Sequence, residues 1–303
     1  MSHNDVPETM TAVRIHEAGG PSAVSLDTVP TPVPAAGEVL VRVHAAAVTR
    51  DELTWPEALP AIPAHEFSGA VVGSGQLVYA LGEFDHDGAA AEYMAVAESL
   101  LAPKPAALSH AQAATIPLAT LSAWQALFDH GDLKAGQRVL VHGASGSVGA
   151  YAVQLAHHAG AHVIAVVSTA GVGRATEFGA DQVVDRTTTR FEDVVDQVDL
   201  VFDTVGGDVI DRSRAVLGKG GRLVLVSSEP AADWAGDSGA TAAYFIVEPN
   251  REQLVQITEL VDSGVLKPSA VEPFPLADAQ AAFEKSLDRN NHGKVVFTVI
   301  DES

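Results

Sequence analysis

Short apolar runs broken by glycine and proline dominate the first hundred residues. Runs such as VSLDTVP (24–30), EVLVRVHAAAV (38–48) and LVYALGEF (77–84) are typical of strands rather than of helices. The segment TVPTPVPAAGE (28–38) links the first two of these runs. It carries three prolines at alternate positions and predicts an extended connector. The pattern predicts an antiparallel, barrel-like β domain with short helices.

The hydrophobic period lengthens near residue 109. Ser109 precedes an apolar pattern at helical spacing that Pro117 interrupts, and it is the expected N-cap. From Gly136 onward, apolar strands alternate with helices. The expected elements are the strands RVLVHG, HVIAVVS, VDLVFDTVG and RLVLVSS and the helices SVGAYAVQLAHHAG and DVIDRSRAVLGKGG, each closed by glycine. Continuous apolar strands between helices predict a doubly wound α/β domain with a parallel sheet.

The last part of the chain follows a polar, Gly- and Ala-rich stretch at 229–243. It begins with the expected strand YFIVEP (244–249), continues with the helices REQLVQITELVDSG (251–264) and ADAQAAFEKSLDR (277–289), and closes on the strand KVVFTVI (294–300). The final helix and strand have the character of the N-terminal region. We therefore expect the chain to return to its first domain.

Composition excludes several classes of protein. The 303 residues are 47% hydrophobic and 19% charged, which is unlike a disordered chain and suffices for two domains of ordinary size. The formal net charge of −21 makes a nucleic-acid partner unexpected. Without cysteine there is no disulfide, no thiolate nucleophile and no zinc site built on cysteine. No transmembrane run or secretory signal is evident, so we expect a cytoplasmic protein.

The sharpest motif is a glycine-rich turn, VLVHGASGSVGAYAVQLA, in which Gly143, Gly146 and Gly149 lie between an expected strand and an expected helix. Glycines let the backbone bend tightly and approach a pyrophosphate, and the helix offers free N–H groups and the positive end of its dipole. The motif predicts a dinucleotide site, and the alternative is a glycine-rich helix start that binds nothing. His142, just before the turn, is expected to be a hydrogen-bonded structural histidine.

The end of the second strand in this series bears on which dinucleotide binds. An NAD site usually places Asp or Glu there, on the ribose 2′-hydroxyl, whereas this chain has Ser168 and no acidic residue before Glu177. A 2′-phosphate is therefore not repelled, and Arg186 or Arg174 could neutralise it. An ordinary solvated charge is the alternative for each arginine. We expect NADPH as the cofactor.

Taken in order, the motifs resemble those of the medium-chain dehydrogenase/reductases, in particular the zinc-free, quinone oxidoreductase-like branch. The matching segments include VRVHAAAVTRDEL, PAIPAHEFSGAVVG, AATIPLATLSAWQALF, AGQRVLVHGASGSVGAYAVQLA, VFDTVGG, GGRLVLVS and HGKVVFTV. The resemblance implies a Rossmann doubly wound parallel sheet inserted in a GroES-like β-barrel catalytic domain. The expected boundaries are 1–117 plus 258–303 for the catalytic, substrate-binding domain and 118–257 for the cofactor-binding domain.

The same resemblance implies an enzyme that binds NADPH between the two domains and transfers hydride, without zinc, to a quinone or an α,β-unsaturated carbonyl. The implied partners are a small-molecule substrate and a second copy of the chain, joined in a homodimer along the sheet edge near residues 244–247; neither nucleic acid nor membrane is expected. Two alternatives stay open. One is a biosynthetic enoyl or double-bond reductase, and the other is a non-catalytic NADPH-binding protein.

Individual site residues also follow from the resemblance. The family's cofactor contacts fall on Ser122, Gly146, Ser147, Val148, Gly149, Ser168, Arg186, Val205, Val226, Phe245, Val247 and Lys294. On the substrate side, Thr49 stands where many relatives carry an Asn near the nicotinamide, and its hydroxyl is a candidate donor to the acceptor oxygen. Trp55 is the best aromatic candidate for the wall of a planar substrate's pocket, ahead of Trp234 and Tyr244, with plain packing as the alternative for each.

His65 and Glu66 resemble part of the zinc-ligand segment of alcohol dehydrogenases. Catalytic zinc takes three protein ligands of the His, Cys or carboxylate type, and Thr49 at the first ligand position is a poor one. We therefore expect no metal and interpret His65 and Glu66 as a hydrogen-bonded turn. Asp51 and Glu52 could line the mouth of a cleft, but we favour a solvated helix start for both.

Overall fold

The computed structural model describes residues 6–55, 58–236, 239–288 and 293–300. The chain forms two compact units. One combines both ends of the chain, Met1–Leu118 with Pro249–Ser303, and we call it the split unit. The other, Ala119–Glu248, we call the inserted unit.

The described residues form fifteen strands and seven α-helices. The strands are β1 (Thr9–Ile15), β2 (Val24–Pro30), β3 (Glu38–Ala47), β4 (Glu66–Val71), β5 (Leu77–Leu81), β6 (Tyr93–Ala97), β7 (Ala102–Pro103), β8 (Arg138–His142), β9 (His162–Val167), β10 (Gln182–Asp185), β11 (Val198–Asp203), β12 (Leu217–Leu225), β13 (Thr241–Tyr244), β14 (Val271–Pro275) and β15 (Lys294–Thr298). The helices are α1 (His110–Ala113), α2 (Pro117–Trp124), α3 (Ser147–His158), α4 (Val172–Glu177), α5 (Asp208–Ser213), α6 (Arg251–Asp262) and α7 (Ala279–Leu287). Among these described helices, none has the length and apolar character needed to cross a bilayer.

The split unit is built on a two-stranded antiparallel ribbon, β1 with β2, and a seven-stranded sheet. The larger sheet has the order β14-β15-β3-β4-β5-β7, and β6 also pairs with β3. The long strand β3 therefore pairs with β15 from the far end of the chain, which confirms the predicted return to the first domain. The rings of Phe283 on α7 and Phe297 on β15 lie 5.9 Å apart in the core of this unit.

The inserted unit contains a six-stranded parallel sheet of order β10-β9-β8-β11-β12-β13. From β8 the chain first adds strands on one side, β9 and β10, and then crosses to add β11, β12 and β13 on the other. This reversal of direction beside β8 confirms the predicted Rossmann topology. In such sheets, ligands bind at the carboxyl ends of the strands where the order reverses. The glycine turn follows β8, so it lies at this point.

Two predicted elements were placed wrongly. The helix expected over 208–221 ends at Ser213, and its glycines lie in β12, where the pairing with β11 shifts register between Val198 and Leu200. The strand expected at 244–249 is β13, which ends at Tyr244. Beyond it the side chains still alternate, with Phe245 and Val247 buried and Ile246 and Glu248 exposed. This alternation made a segment beyond the strand resemble part of it.

Helix α1 begins where the sequence predicted. The backbone N–H of Gln112 donates to Oγ of Ser109, and the N–H of Ser109 donates to Oε1 of Gln112, a complete capping box.

The predicted C-terminal boundary of the cofactor-binding domain, between residues 257 and 258, falls inside α6. This helix lies in the split unit, where the Tyr79 hydroxyl donates to the carbonyl of Leu254 at 2.8 Å.

Candidate functional site

The glycine turn between β8 and α3 is closely packed against itself. Gly143 has φ +70°, and a Cβ placed there would lie 2.3 Å from Oγ1 of Thr204. A Cβ on Gly149 would lie 2.2 Å from the carbonyl oxygen of Gly143. Both contacts are far shorter than carbon atoms tolerate. These two glycines are therefore needed for the turn to close over the helix start, as the tight-turn interpretation predicted.

The N-terminus of α3 is an open anion site. Its N-cap is Gly146, which has no side chain to satisfy the first N–H groups of the helix. Ser147 is exposed and Val148 is half-buried, so the first turn is accessible to solvent. Free N–H groups and the positive end of a twelve-residue helix favour a phosphate. The residues present therefore fit the pyrophosphate of a dinucleotide.

Asp203, at the end of β11, organises the neighbouring strand ends and was missed by the sequence analysis. Its fully buried carboxylate accepts from the N–H of Val205, the N–H of Gly206 and the hydroxyl of Ser227, each at 2.9 Å. Its carbonyl accepts from the N–H of Val226 at 3.2 Å. This network holds Val205 with 55% of its surface exposed, as an apolar side chain presented at the carboxyl ends of the strands. The available signal was an aspartate that ends an apolar strand before T-V-G-G.

His142 lies under the turn and is structural, as predicted. Its Nε2 lies 3.1 Å from Oγ of Ser213, and its ring packs edge-on against Phe191 at 4.7 Å. Burial lowers the pKa of His142 to about 4, against the opposing effect of Asp203. The imidazole is therefore neutral at physiological pH.

A carboxylate lies beside the predicted 2′-phosphate position. Ser168 follows β9 and is half-buried, and the next residue, Thr169, donates from Oγ1 to Oδ2 of Asp185 at 2.6 Å. The hydroxyl and the N–H of Thr187 donate to Oδ1 of the same group. These hydrogen bonds, led by that of Thr169, lower the pKa of Asp185. The sequence analysis considered the residues before Glu177 and missed an acid that the sheet brings back to the site.

The two candidate arginines differ in their surroundings. Arg186 is exposed, and its backbone N–H donates to the carbonyl of Val167 at 2.9 Å, which fixes it next to the end of β9. Among the described residues, no ion pair of its guanidinium occurs within 4.0 Å. Arg174 instead lies over the ring of Phe178 on its own helix, at 5.1 Å. The geometry therefore favours Arg186 for a ligand phosphate.

Three further predicted cofactor contacts of the inserted unit are largely buried. Ser122 lies in α2 with 4% of its surface exposed. Phe245 and Val247 are 9% and 8% exposed, and the ring of Phe245 lies 4.4 Å from that of His130. These positions pack the unit itself, and their roles toward a cofactor stay predictions.

A polar cluster in the split unit brings Thr49 and Lys294 together. Lys294 opens β15 and is 7% exposed, and His292 of the same HGK motif lies outside the described residues. Its Nζ lies 2.6 Å from Oε1 of Glu66 and donates to Oγ1 of Thr49 at 3.2 Å. The contact with Glu66 is an ion pair rather than a well-aligned hydrogen bond. Oε2 of Glu66 accepts from the N–H of Leu118, so both oxygens of this carboxylate are fixed.

Glu52 joins the same cluster, and its predicted role as a solvated helix start is wrong. The side chain is 2% exposed, and its Oε2 accepts from the N–H of Thr49 at 2.9 Å. Burial raises the pKa of Glu52 to about 8, and nearby Glu66 adds to this, whereas Lys294 and the backbone hydrogen bonds oppose it. The signal in the sequence was T-R-D-E, the capping-box pattern, in which the acid reaches back to residue 49. Asp51 is exposed, as expected.

Trp55 lies in an aromatic group of the split unit. Its ring packs edge-on against Phe84 at 5.5 Å and lies 6.4 Å from His65, and the indole is half-buried. An aromatic wall with one accessible side suits a planar ligand. Trp234 does not have this property. It is 1% exposed and lies in the core of the inserted unit, so its candidacy is withdrawn, while Tyr244 stays partly exposed at 37%.

The split-unit cluster does not fit a catalytic zinc ion. Oγ1 of Thr49 and Oε1 of Glu66 both contact the Lys294 ammonium group, which would repel a metal cation between them. Nδ1 of His65 is 3.1 Å from the carbonyl of Glu83. Within the described residues, no three His, Asp or Glu side chains are grouped as metal ligands. His65 directly precedes β4 and Glu66 is the first residue of that strand, so the predicted turn is wrong.

Comparison with known proteins identifies the relatives of this arrangement. A family model described as zinc-binding dehydrogenase matches residues 178–297. The chain is 33% identical to a probable zinc-binding oxidoreductase, mitochondrial, of Arthroderma benhamiae, over 92% of this chain and 94% of that protein. It is 30% identical to an NADPH-dependent alkenal/one oxidoreductase, chloroplastic, of Arabidopsis thaliana, over 96% and 80%.

Solved structures agree with these sequence matches. The structure of the quinone oxidoreductase from Coxiella burnetii superposes with a TM-score of 0.89 at 30% identity, covering 96% of this chain and all of that one. Both the two-unit architecture and the order of elements are therefore shared with an oxidoreductase.

Proposed function

This chain belongs to the zinc-binding dehydrogenase family of oxidoreductases, and from that premise we propose that it is an NADPH-dependent reductase of quinones or α,β-unsaturated carbonyls that works without zinc. The observation that carries the proposal is the open N-terminus of α3 behind the glycine turn. A site of this kind binds the pyrophosphate of a nicotinamide dinucleotide. When bound, this cofactor supplies the hydride.

The inserted unit holds the cofactor in this proposal. Gly146, Ser147 and Val148 would meet the pyrophosphate with backbone N–H groups, and the exposed side chain of Val205 would pack against the adenine. Arg186 is exposed just after β10, beside the end of β9, and would pair with a 2′-phosphate. The similarity to an NADPH-dependent Arabidopsis oxidoreductase supports NADPH, whereas the charge of Asp185 opposes a 2′-phosphate.

The acceptor is proposed to meet the split unit. Hydride addition to a quinone or an enone places negative charge on the acceptor oxygen, and a hydroxyl donor lowers the cost of that charge. Thr49 is half-buried and carries such a hydroxyl, and Trp55 offers a flat apolar face to a planar acceptor. The names of the alkenal/one and quinone oxidoreductase relatives support these two acceptor classes.

A homodimer is also part of the proposal. Strand β13 ends the order of the parallel sheet, so one of its edges is unpaired among the described residues. Just beyond it, Ile246 exposes 66% of its surface. An apolar sheet edge tends to associate, and pairing with its own symmetry mate gives a closed two-fold interface.

A substrate panel tests the proposed function. NADPH oxidation is followed at the nicotinamide absorbance with enals, enones, quinones and enoyl thioesters, before and after dialysis against EDTA. We expect turnover with at least one enone or quinone and no loss after EDTA. Turnover confined to enoyl thioesters would support a biosynthetic reductase instead. Tight NADPH binding without oxidation by any acceptor would support a non-catalytic binding protein.

A further inference from the structure

The Thr49 hydroxyl has a defined hydrogen-bonding direction. A lysine ammonium group can only donate, so the 3.2 Å contact between Nζ of Lys294 and Oγ1 of Thr49 makes the hydroxyl oxygen an acceptor. The single proton of that hydroxyl is then free to be donated elsewhere. Among the described residues, no acceptor for it lies within hydrogen-bond distance. Lys294 thus leaves Thr49 with a proton directed away from the cluster.

The cluster contains one ammonium group, that of Lys294, and two carboxyl groups, those of Glu66 and Glu52. Lys294 and Glu66 form a buried ion pair at 2.6 Å and neutralise each other. Glu52 is the second buried carboxyl beside this pair, and its Oε1 has no hydrogen-bond partner among the described residues. Its Oε2 accepts from the N–H of Thr49, but a buried carboxylate with one unpartnered oxygen beside a second carboxylate is disfavoured, so Glu52 carries a proton. The cluster therefore has no net charge and does not oppose the arrival of hydride.

We propose that Lys294 is a positioning residue for proton delivery, which holds the Thr49 hydroxyl as donor to the acceptor oxygen and resupplies its proton. The inference rests on the proposed reductase function. As hydride adds to the electron-poor carbon of the acceptor, the π-electron pair moves to the acceptor oxygen and a new O–H bond forms there. The O–H bond of Thr49 breaks while a proton of Lys294 moves to Oγ1. Lys294 then regains its proton from water.

Four variants separate this role from a structural one. Thr49→Val removes the hydroxyl at nearly constant shape, and Thr49→Ser keeps it. Lys294→Met removes the ammonium group, and Lys219→Met is the matched control, since Lys219 is exposed on β12. The measurements are kcat and KM for an enone and for NADPH, the solvent deuterium isotope effect on kcat, and NADPH binding by calorimetry. Each is made with the full chain.

We expect Thr49→Val and Lys294→Met each to lower kcat by about tenfold or more with NADPH affinity unchanged, as loss of a positioned proton donor does. Thr49→Ser restores kcat relative to Thr49→Val, and only the control Lys219→Met keeps kcat near that of the parent. Because Lys294 acts through Thr49, the double variant Thr49→Val/Lys294→Met is no slower than the slower single variant. The solvent isotope effect changes in Lys294→Met and not in the control.

A folding defect is controlled with a second variant. Lys294→Met leaves Glu66 as an unpaired buried charge, and this alone can unfold a protein. Lys294→Met/Glu66→Gln removes both charges, and we expect the same loss of kcat in a folded protein. An unchanged kcat and isotope effect in that double variant overturns the proposal. A loss confined to NADPH affinity also overturns it and makes Lys294 a cofactor contact. If none of the acceptors in the panel supports NADPH oxidation by the parent, the proposed reductase function fails as well.

Discussion

The hydroxyl of Thr169 donates to the carboxylate of Asp185 at 2.6 Å, so the neighbouring ends of β9 and β10 are joined by an acidic group. Asp185 is held in its charged form by this bond and by two from Thr187, and its charge lies close to the residue that follows Ser168. A cofactor phosphate at this point would meet one anion and one cation, Asp185 and Arg186. We expect the balance of these two charges to influence the choice of dinucleotide.

We predict a preference for NADPH over NADH that depends on this balance. Arg186→Ala should weaken NADPH binding about tenfold or more, since a charge-assisted contact contributes roughly 1.5–3 kcal/mol, and should leave NADH binding unchanged. Asp185→Asn should strengthen NADPH binding. Arg190→Ala is the control, because this arginine pairs with Glu192 at 3.0 Å. Calorimetry on each variant measures both dissociation constants, and equal binding of NADPH and NADH by the parent contradicts the prediction.

Two helical glycines, Gly149 of the glycine turn and Gly173 of α4, are predicted to respond differently to substitution by alanine. Gly149→Ala places a Cβ 2.2 Å from a backbone oxygen, so we expect destabilisation of about 1–3 kcal/mol or more together with loss of dinucleotide binding. Gly173→Ala in α4 meets no atom within 4 Å and should be neutral or stabilising by up to about 1 kcal/mol. Urea unfolding and cofactor titration check both. Wild-type binding by Gly149→Ala would show that the turn is not closed as described.

Glu52 should make stability depend on pH. Its pKa is about 8 in the folded protein, above the value of 4.5 for an unburied glutamate, so the folded state binds the extra proton between these values. Stability is therefore highest below pH 4.5 as far as this group is concerned, and is lost as pH rises toward 8, with a limiting slope of about 1.4 kcal/mol per pH unit. Glu52→Gln removes this dependence.

The matching measurement is the difference in unfolding free energy between Glu52→Gln and the parent at pH 5, 6, 7, 8 and 9. We expect the difference to favour the variant increasingly up to about pH 8 and then to level off. Asp51→Asn is the control, since this neighbour is exposed. A difference that is constant across the range would mean that Glu52 is ionised in the folded protein.

The proposed dimer should depend on the segment just after β13. Ile246→Asp introduces a charge at a side chain that is 66% exposed, and in a paired interface it would be buried without a partner. We expect the parent to sediment as a dimer at micromolar concentration and this variant as a monomer. Val33→Asp is the control, as Val33 is 89% exposed in the split unit. A monomeric parent would exclude the pairing, and a dimeric variant would place the interface elsewhere.

Local chemistry in the sequence predicted the parallel sheet, the glycine turn and the Ser109 N-cap, because each depends on a few adjacent residues. Neighbours that are distant in sequence were not predictable in this way. Asp185 approaches Thr169 only because β10 pairs in parallel with β9. Lys294 reaches Thr49 only because β15 pairs with the end of β3.

The burial of individual side chains was also not predictable from the hydrophobic pattern of the sequence. Glu52 carries the composition of a surface helix start, yet the sheet behind it covers its side chain. Trp234 lies in a polar, Gly-rich stretch, yet its indole N–H donates to the carbonyl of Ile210 and its ring fills the core. In both cases the surrounding residues are polar and the decisive contacts come from other elements.

The pairing of β3 with β15 also determines when each unit can complete its fold during synthesis. Ala47 and Val296 are register partners about 250 residues apart, so the large sheet of the split unit lacks a strand until nearly the whole chain has left the ribosome. The inserted unit draws all six strands from one continuous stretch, Ala119–Glu248, and has them earlier. Cotranslational folding should therefore begin in the inserted unit, while the end of β3 that pairs with β15 waits with an unpaired edge.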